Sequence, residues 1–324
     1  VIYHIFGCRG LEPKSMTETD LIQTRSPIAR EQDYERIALS LESCGNYRLL
    51  RRLKPRVFKP SSGASSTKRA VFLDVETTGL DRQTDTVIEL AMLPFDYAPD
   101  GRIVGIDKPF VARRDPGRPI PPGIAKLTGI TNEMISGAVV DDEIVRDMLR
   151  DVSLVVAHNA AFDRPFCEPL WPEFASKAWA CSLKEVDWAG EGFEGGRLCH
   201  IAAAYGFFFD AHRAEEDCYA GVEILTRDLP RSGRPVFAAL LESARTPRLR
   251  VRAEGAPYGS RLLLKSRGYR WDASGKDGPS AWCADVAEDA LDGEVEFLRR
   301  EVYRRNDAAI PYRRVTAFDR YSDR

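Results

Sequence analysis

The stretch Val71-Phe72-Leu73-Asp74-Val75-Glu76-Thr77-Thr78-Gly79-Leu80 limits what this chain can fold into more tightly than any other part of it. An apolar, β-branched run enters it, two acids stand one residue apart, and a Thr-Thr-Gly turn follows. Residues i and i+2 of a strand share a face, so Asp74 and Glu76 project together from one strand end. Paired carboxylates repel and resist burial unless a cation sits between them, and a divalent metal meets that need. A lone D-x-E is more often an edge strand whose acids face water. The meaning of the pair therefore depends on what the rest of the chain brings to it.

The 324 residues leave room for one large domain and smaller additions. Lys and Arg number 47 against 49 Asp and Glu, a net charge of -2, which excludes a uniformly basic coat but not local basic patches. No apolar run approaches the roughly 20 residues of a membrane helix. Residues 1–6 are too short for a signal sequence and lack a basic flank. The seven cysteines are odd in number, scattered, and never arranged as C-x-x-C, so neither a zinc ribbon nor a disulfide framework is signalled. A reducing, cytoplasmic setting is the expectation.

In order along the chain, residues 1–30 read as disordered or as an extension, with Met16 a more natural start than Val1. Residues 31–59 are expected to form a basic helical hairpin. Tyr34, Ile37, Ala38 and Leu41 recur at helical spacing, and Tyr47, Leu50 and Leu53 suggest a second short helix ended by Lys54-Pro55. Its cations, Arg48, Arg51, Arg52, Lys54, Arg56 and Lys59, read either as a solvated face or as an arm toward nucleic acid. The Ser- and Gly-rich run places a flexible linker at 60–68. The main domain, 69–229, carries strand patterns at 71–75, 86–93, 103–111, 153–157 and 179–181. Helical patterns fall at 124–127, 141–149, 160–169 (capped by Asn159), 198–205 and 214–228. Strands in a meander followed by strands alternating with helices imply an α/β fold, a mixed sheet with helices on both faces. Residues 230–255 read as a connector and 256–324 as a small α+β appendage. In that appendage Arg270 and Trp271 could stack on bases, although Trp271 and Trp282 on facing strands are more often a small core.

Three further pieces join Asp74 and Glu76. His158-Asn159-Ala160-Ala161-Phe162-Asp163 puts Asp163 on the first turns of a helix leaving a buried strand, near the carboxyl edge where open α/β sheets place their sites. His212-Arg213-Ala214-Glu215-Glu216-Asp217 spaces a histidine and an aspartate as H-x-x-x-x-D. At about 100° per residue, positions five apart align poorly on one helix, so His212 belongs in the loop and Asp217 inside the helix that follows. A loop histidine can swing toward an attacking water and take its proton near neutral pH. Four carboxylates balance two divalent cations, and hard oxygen donors favour Mg²⁺ or Mn²⁺ over zinc. Two such ions about 4 Å apart suit in-line phosphoryl transfer.

The pieces F-L-D-V-E-T-T-G-L, H-N-A-A-F-D and H-R-A-E-E-D resemble the three motifs of the DEDDh family, which includes the DnaQ-like proofreading 3′–5′ exonucleases, and Leu127-Thr128-Gly129-Ile130 resembles the segment between them. The resemblance covers 69–229. It implies a ribonuclease-H-like sheet and release of nucleoside monophosphates from the 3′ end of single-stranded or frayed DNA. It further implies Asp74, Glu76, Asp163 and Asp217 as ligands of two Mg²⁺ or Mn²⁺, with Asp74 bridging, and His212 as general base. By the same resemblance Thr77 and Thr78 hold the terminal nucleotide and Phe162 packs on its sugar or base. A clamp-binding peptide and a polymerase segment are not seen. The same chemistry on RNA is a near alternative, because these motifs do not report a 2′-hydroxyl. A non-catalytic nucleic-acid-binding adaptor is the alternative from another class, opposed by all five catalytic positions being filled. His158 is expected to shape its loop, and Glu215, Glu216 and Glu223 to form a solvated or supporting face.

Overall fold

The computed structural model describes residues 27–58, 66–275 and 277–323. Of the stretch 1–30 expected to be disordered or an extension, residues 1–26 lie outside the described residues and 27–30 instead open a helix. Of the expected linker 60–68, residues 60–65 lie outside them and Lys68 already belongs to a strand. The chain divides into a short unit up to Leu50 and a large unit from Arg51 onward. In the first, α1 (Pro27–Ser43) stops just before Gly45, whose φ of 75° suits the left-handed turn that ends a helix.

The large unit runs β1 (Arg51–Arg52), β2 (Lys68–Thr77), β3 (Val87–Tyr97), β4 (Ile103–Ile106) and β5 (Phe110–Arg113). Three helices follow, α2 (Pro122–Thr128), α3 (Asn132–Ile135) and α4 (Asp142–Arg150), then β6 (Val152–Ala157), α5 (Ala160–Cys167) and β7 (Trp179–Cys181). Next come α6 (Leu198–Ala204), β8 (Phe207–Phe208), α7 (Ala214–Leu225), α8 (Val236–Arg245) and β9 (Arg248–Glu254). The last elements are α9 (Arg261–Ser266), β10 (Arg270–Asp272), β11 (Ala281–Val286), α10 (Leu291–Phe297) and β12 (Tyr312–Val315). Among the described residues no helix is long and apolar enough to cross a membrane.

The main sheet has the order β4-β3-β2-β6-β7, with β5 also on β3. Pairings to β3 are antiparallel, whereas β2–β6 and β6–β7 are parallel, so the sheet is mixed. Because strand side chains alternate, β2 sends Ala70 and Phe72 into one core and Val71, Leu73 and Val75 into the other. The first core is closed by α6, α7 and α8 and the second by α4 and α5, which gives the expected α/β layering.

Several expectations are corrected. The second helix of the basic hairpin does not form. Instead β1 adds in parallel to β8, with the Arg51 N–H donating to the Gly206 carbonyl at 3.0 Å and the Leu53 N–H to Phe208 at 2.8 Å. Leu53 then packs against the first core, a burial that a two-turn surface helix would not provide. Two of the presumed arm cations are engaged: Arg52 pairs with Asp210, and Arg56 with Glu223. Glu223 is thus a buried partner of Arg56 and Arg227 rather than part of a solvated face. The third strand is broken into β4 and β5 around Asp107-Lys108-Pro109, where proline has no N–H for the ladder.

Residues 230–255 are no loose connector. α8 buries Val236, Phe237, Leu240 and Leu241 in the first core, and β9 is an inner strand of a four-stranded antiparallel sheet ordered β10-β11-β9-β12. The arginine-rich run hides a strand pattern. Leu249, Val251 and Ala253 alternate with Arg248, Arg250 and Arg252, and two of these arginines meet acids: Arg250 with Asp285, and Arg252 with Asp272 and Glu254. The appendage therefore begins at β9. Its last strand stops at Val315, and residues 316–323 return to the main domain as a strap. The fully buried Arg164 donates to the carbonyls of Arg320 (2.6 Å) and Phe318 (2.7 Å), and the Trp179 N–H donates to Ala317 at 2.8 Å. Arg320 and Tyr321 both reach Glu185, and Ser322 donates to Glu168.

Candidate active site

Because β2 and β6 are parallel, their carboxyl ends open on one edge of the sheet. Asp74 and Glu76 leave β2 there, on the face that carries Phe72 and is covered by α7. Gly221 lets α7 settle on that face, for a Cβ there would overlap the Phe72 ring. One turn earlier on the same helix stands Asp217. Carboxylate oxygens of Asp74, Glu76 and Asp217 lie within 4.8 Å of one another. Asp217 also accepts the Arg213 N–H at 3.1 Å, which ties the start of α7 to the loop before it.

Asp163 arrives from the other side. The turn from β6 into α5 passes through Asn159 in a left-handed conformation, φ 90°, a position asparagine tolerates better than most residues. The side chain of Asn159 makes no capping bond, so the expected cap is a turn residue instead. Asp163 is buried, and its Oδ1 accepts the Val75 N–H at 3.3 Å, which fixes α5 against β2. It borders the same cleft but is not one of the three acids in mutual reach. His212, also at positive φ (66°), is exposed at the cleft wall in the loop ahead of α7, as its spacing predicted.

The cleft, about 510 Å³, is lined by Asp74, Glu76, Thr77, Phe162, Asp163, His212 and Asp217. Thr78 is not brought to it. Its hydroxyl donates to Asp85 at 2.8 Å and accepts from Arg118 at 2.9 Å, so it holds the turn after β2 together. Thr77 lines the cleft, although its own hydroxyl donates to the Gly79 carbonyl at 2.5 Å. His158 is fixed between the Ser182 hydroxyl (2.9 Å) and the Gly196 carbonyl (2.8 Å). Burial pushes its pKa down to about 4, so it stands neutral as a structural residue of the loop.

The acids suppress one another's ionisation. Asp74 is raised well above the usual carboxylate range, first by burial and then by Asp217, Asp163 and Glu76. Burial, with Asp217 and Glu89, lifts Glu76 to about 8. Asp163 is raised chiefly by burial. Asp217 reaches about 6, again through burial, opposed by the backbone N–H groups of Arg213 and His212. Three carboxylates held this close, with Asp163 bordering the same cleft, and all destabilised as anions, fit a divalent cation.

Two features of the site escape the sequence. Glu89 lies directly across the ladder from Glu76 and is neutralised by Arg113 at 2.9 Å. Leu80 and Leu127 stand 81% and 52% exposed at the cleft mouth, where they offer apolar surface beside the acids. Register and exposure become visible only once the sheet is assembled, although Leu127 lies in a segment already noted for its resemblance.

Similarity to known proteins falls on the same part of the chain. The RNase_T family model, described as an exonuclease, matches residues 71–225. The DNA polymerase III subunit epsilon of Treponema pallidum (strain Nichols) is 34% identical over 165 residues, 47% of this chain and 73% of that protein. The PolC-type DNA polymerase III of Bacillus subtilis (strain 168) is 43% identical over 98 residues, which span 30% of this chain but only 6% of that polymerase. Among solved structures, exonuclease X in complex with 5′-overhanging duplex DNA is 25% identical with a TM-score of 0.36, over 53% of this chain and 88% of that one. The zinc-bound E. coli exonuclease I complex with single-stranded DNA is 18% identical with a TM-score of 0.45, over 78% and 64%.

Proposed function

The chain belongs to the DnaQ-like DEDDh family of 3′–5′ exonucleases, and from that premise we propose that its cleft hydrolyses the terminal phosphodiester bond of a single-stranded or frayed DNA 3′ end, releasing nucleoside monophosphates. The observation that carries the reading is the convergence of Asp74, Glu76 and Asp217 within 4.8 Å, with Asp163 and His212 on the walls of the same cleft.

Asp74, Glu76, Asp163 and Asp217 would hold two divalent cations, Mg²⁺ or Mn²⁺. Such ions supply a nucleophile at neutral pH and charge stabilisation for the leaving oxygen. The remaining work falls to this chain's own groups. His212, on an exposed loop, takes the proton of the attacking water. Asp217 holds that loop by accepting the Arg213 N–H. Phe162, Leu80 and Leu127 line the mouth with apolar surface on which the terminal base and sugar pack, and Thr77 meets the terminal nucleotide.

The filled set of acids and histidine argues against a binding adaptor without turnover. The test is digestion of a 3′-labelled single strand. Mononucleotides should appear with Mg²⁺ or Mn²⁺ and cease with EDTA; no product from DNA or RNA under any divalent metal would overturn the reading.

A further inference from the structure

The appended sheet presents a second surface with the chemistry of a nucleic-acid strand. On α9 and the turn before it, the Arg261 guanidinium lies 4.1 Å from the ring centroid of Tyr258, which is 80% exposed. One helical turn on, the Lys265 ammonium sits 5.9 Å from the ring of Trp282. That ring in turn meets Trp271 at 5.7 Å, edge to face, and Trp271 is 55% exposed on the edge strand β10. The result is one continuous track in which aromatic faces and cations follow each other from Tyr258 to Trp271.

Two properties set it apart from a small core with a charged rim. Among the described residues Arg261 and Lys265 make no ion pair with an acid; each rests on an aromatic ring instead. The acids at this edge of the sheet are spent elsewhere, since Asp272 and Glu254 both bind Arg252. Exposed aromatic faces beside cations that no acid engages offer a planar, anionic ligand both stacking and charge. A single strand is such a ligand: every base has a π-face for stacking, and every phosphate a charge for Lys or Arg.

We propose that this track is an accessory binding site for single-stranded DNA, holding the strand on the 5′ side of the end that enters the cleft. Binding at the track needs no turnover, but the polarity of the strand rests on the function proposed above. The site stacks bases on Trp271 and Tyr258 and neutralises the backbone with Arg261 and Lys265. It adds affinity for long substrates without touching the reacting bond.

The test uses the full chain and two probes. One is an oligodeoxythymidylate of about twenty nucleotides, long enough to span more than one such surface, titrated in EDTA by tryptophan fluorescence. The other is the p-nitrophenyl ester of thymidine 5′-monophosphate, which reaches the cleft alone, hydrolysed with Mn²⁺. Trp271→Ala combined with Lys265→Ala should weaken oligomer binding by about tenfold or more and flatten its salt dependence, as loss of one stacked base and one phosphate contact requires. Hydrolysis of the ester should stay at the parent rate, and Trp271→Phe with Lys265→Arg should restore oligomer binding. Both altered side chains of the alanine pair are exposed, and unchanged ester hydrolysis reports an intact fold. Oligomer affinity equal to the parent's would overturn the accessory site. So would stronger binding of an RNA oligomer of the same length, which would reassign the track to RNA. A parent protein that binds the oligomer through the track yet hydrolyses neither probe would instead overturn the exonuclease function and leave the site standing.

Discussion

Gly221 of α7 lies against Phe72 of β2 at a separation that leaves no room for a side-chain carbon. Phe72 is fully enclosed and cannot swing away. The spacing between helix and strand, and with it the distance from Asp217 to Asp74, is therefore set by the absence of a methyl group. Gly221→Ala should destabilise the protein by about 1–3 kcal/mol through overpacking, even though alanine is the better helix former. Divalent-cation affinity should fall with it. Urea unfolding and calorimetric titration with Mn²⁺ read the two effects, and a variant matching the parent in both would show that the helix has slack.

The acids and the histidine should separate by kind of defect. His212→Ala is expected to reduce kcat by about 10²- to 10⁴-fold, the usual worth of a general base, with KM and cation binding nearly unchanged. Asp74→Asn should abolish cation binding and turnover together. It should also raise the thermal midpoint of the metal-free protein, since it removes a carboxylate that burial and four neighbouring acids disfavour. An Asp74→Asn protein that binds Mn²⁺ normally would refute the ligand assignment.

Stability of the metal-free protein should depend on pH in the direction opposite to ordinary acid unfolding. Glu76 and Asp217 have folded-state values pushed up to about 8 and about 6, above those of the unfolded chain. Between pH 4 and those values the folded state binds more protons at these two groups than the unfolded one. This outweighs the single buried His158, which acts the other way below about 6.5, so stability falls as pH rises through that window. In EDTA the thermal midpoint should drop by on the order of several degrees from pH 5 to pH 8. Added Mg²⁺ should raise it far more at pH 8 than at pH 5. A midpoint that climbs over that range without metal would contradict the crowded-anion description of the cleft.

Arg164 follows Asp163 directly and points the other way, into the strap. Arg164→Met would take the buried guanidinium away from Glu168 and strip the Phe318 and Arg320 carbonyls of a donor. A loss of about 3–5 kcal/mol is expected from breaking such a buried pair on one side. Proteolysis should then cut preferentially near residues 316–323, and mass spectrometry of the fragments would show it. Uniform resistance along the chain would mean that the strap is held by other contacts.

Much of the cleft could be read from the chain alone because each acid sits in a local context that fixes its direction. Asp74 and Glu76 follow from strand alternation, and Asp217 and His212 from the mismatch between a five-residue spacing and a helical turn. Thr78 could not be placed in this way. Its neighbour Thr77 has the same chemistry, and only the Asp85–Arg118 pair across the turn decides which hydroxyl is spent. Glu89 and Arg113 were invisible because a cross-strand register joins them. The errors at 47–53 and 230–255 share one cause: clustered arginines look solvated in sequence. In the fold Arg52, Arg56, Arg250 and Arg252 are paired with acids far along the chain.

The strap at residues 316–323 leaves a translating ribosome after every acid of the cleft. Its bonds to Arg164, Trp179 and Glu185 therefore close only after those acids have emerged, and the helix bearing Asp163, already tied to β2 through Val75, gains its second brace then. The order of synthesis thus separates the arrival of the acids from the arrival of the strap, and chains stalled before residue 316 should hold cations only weakly.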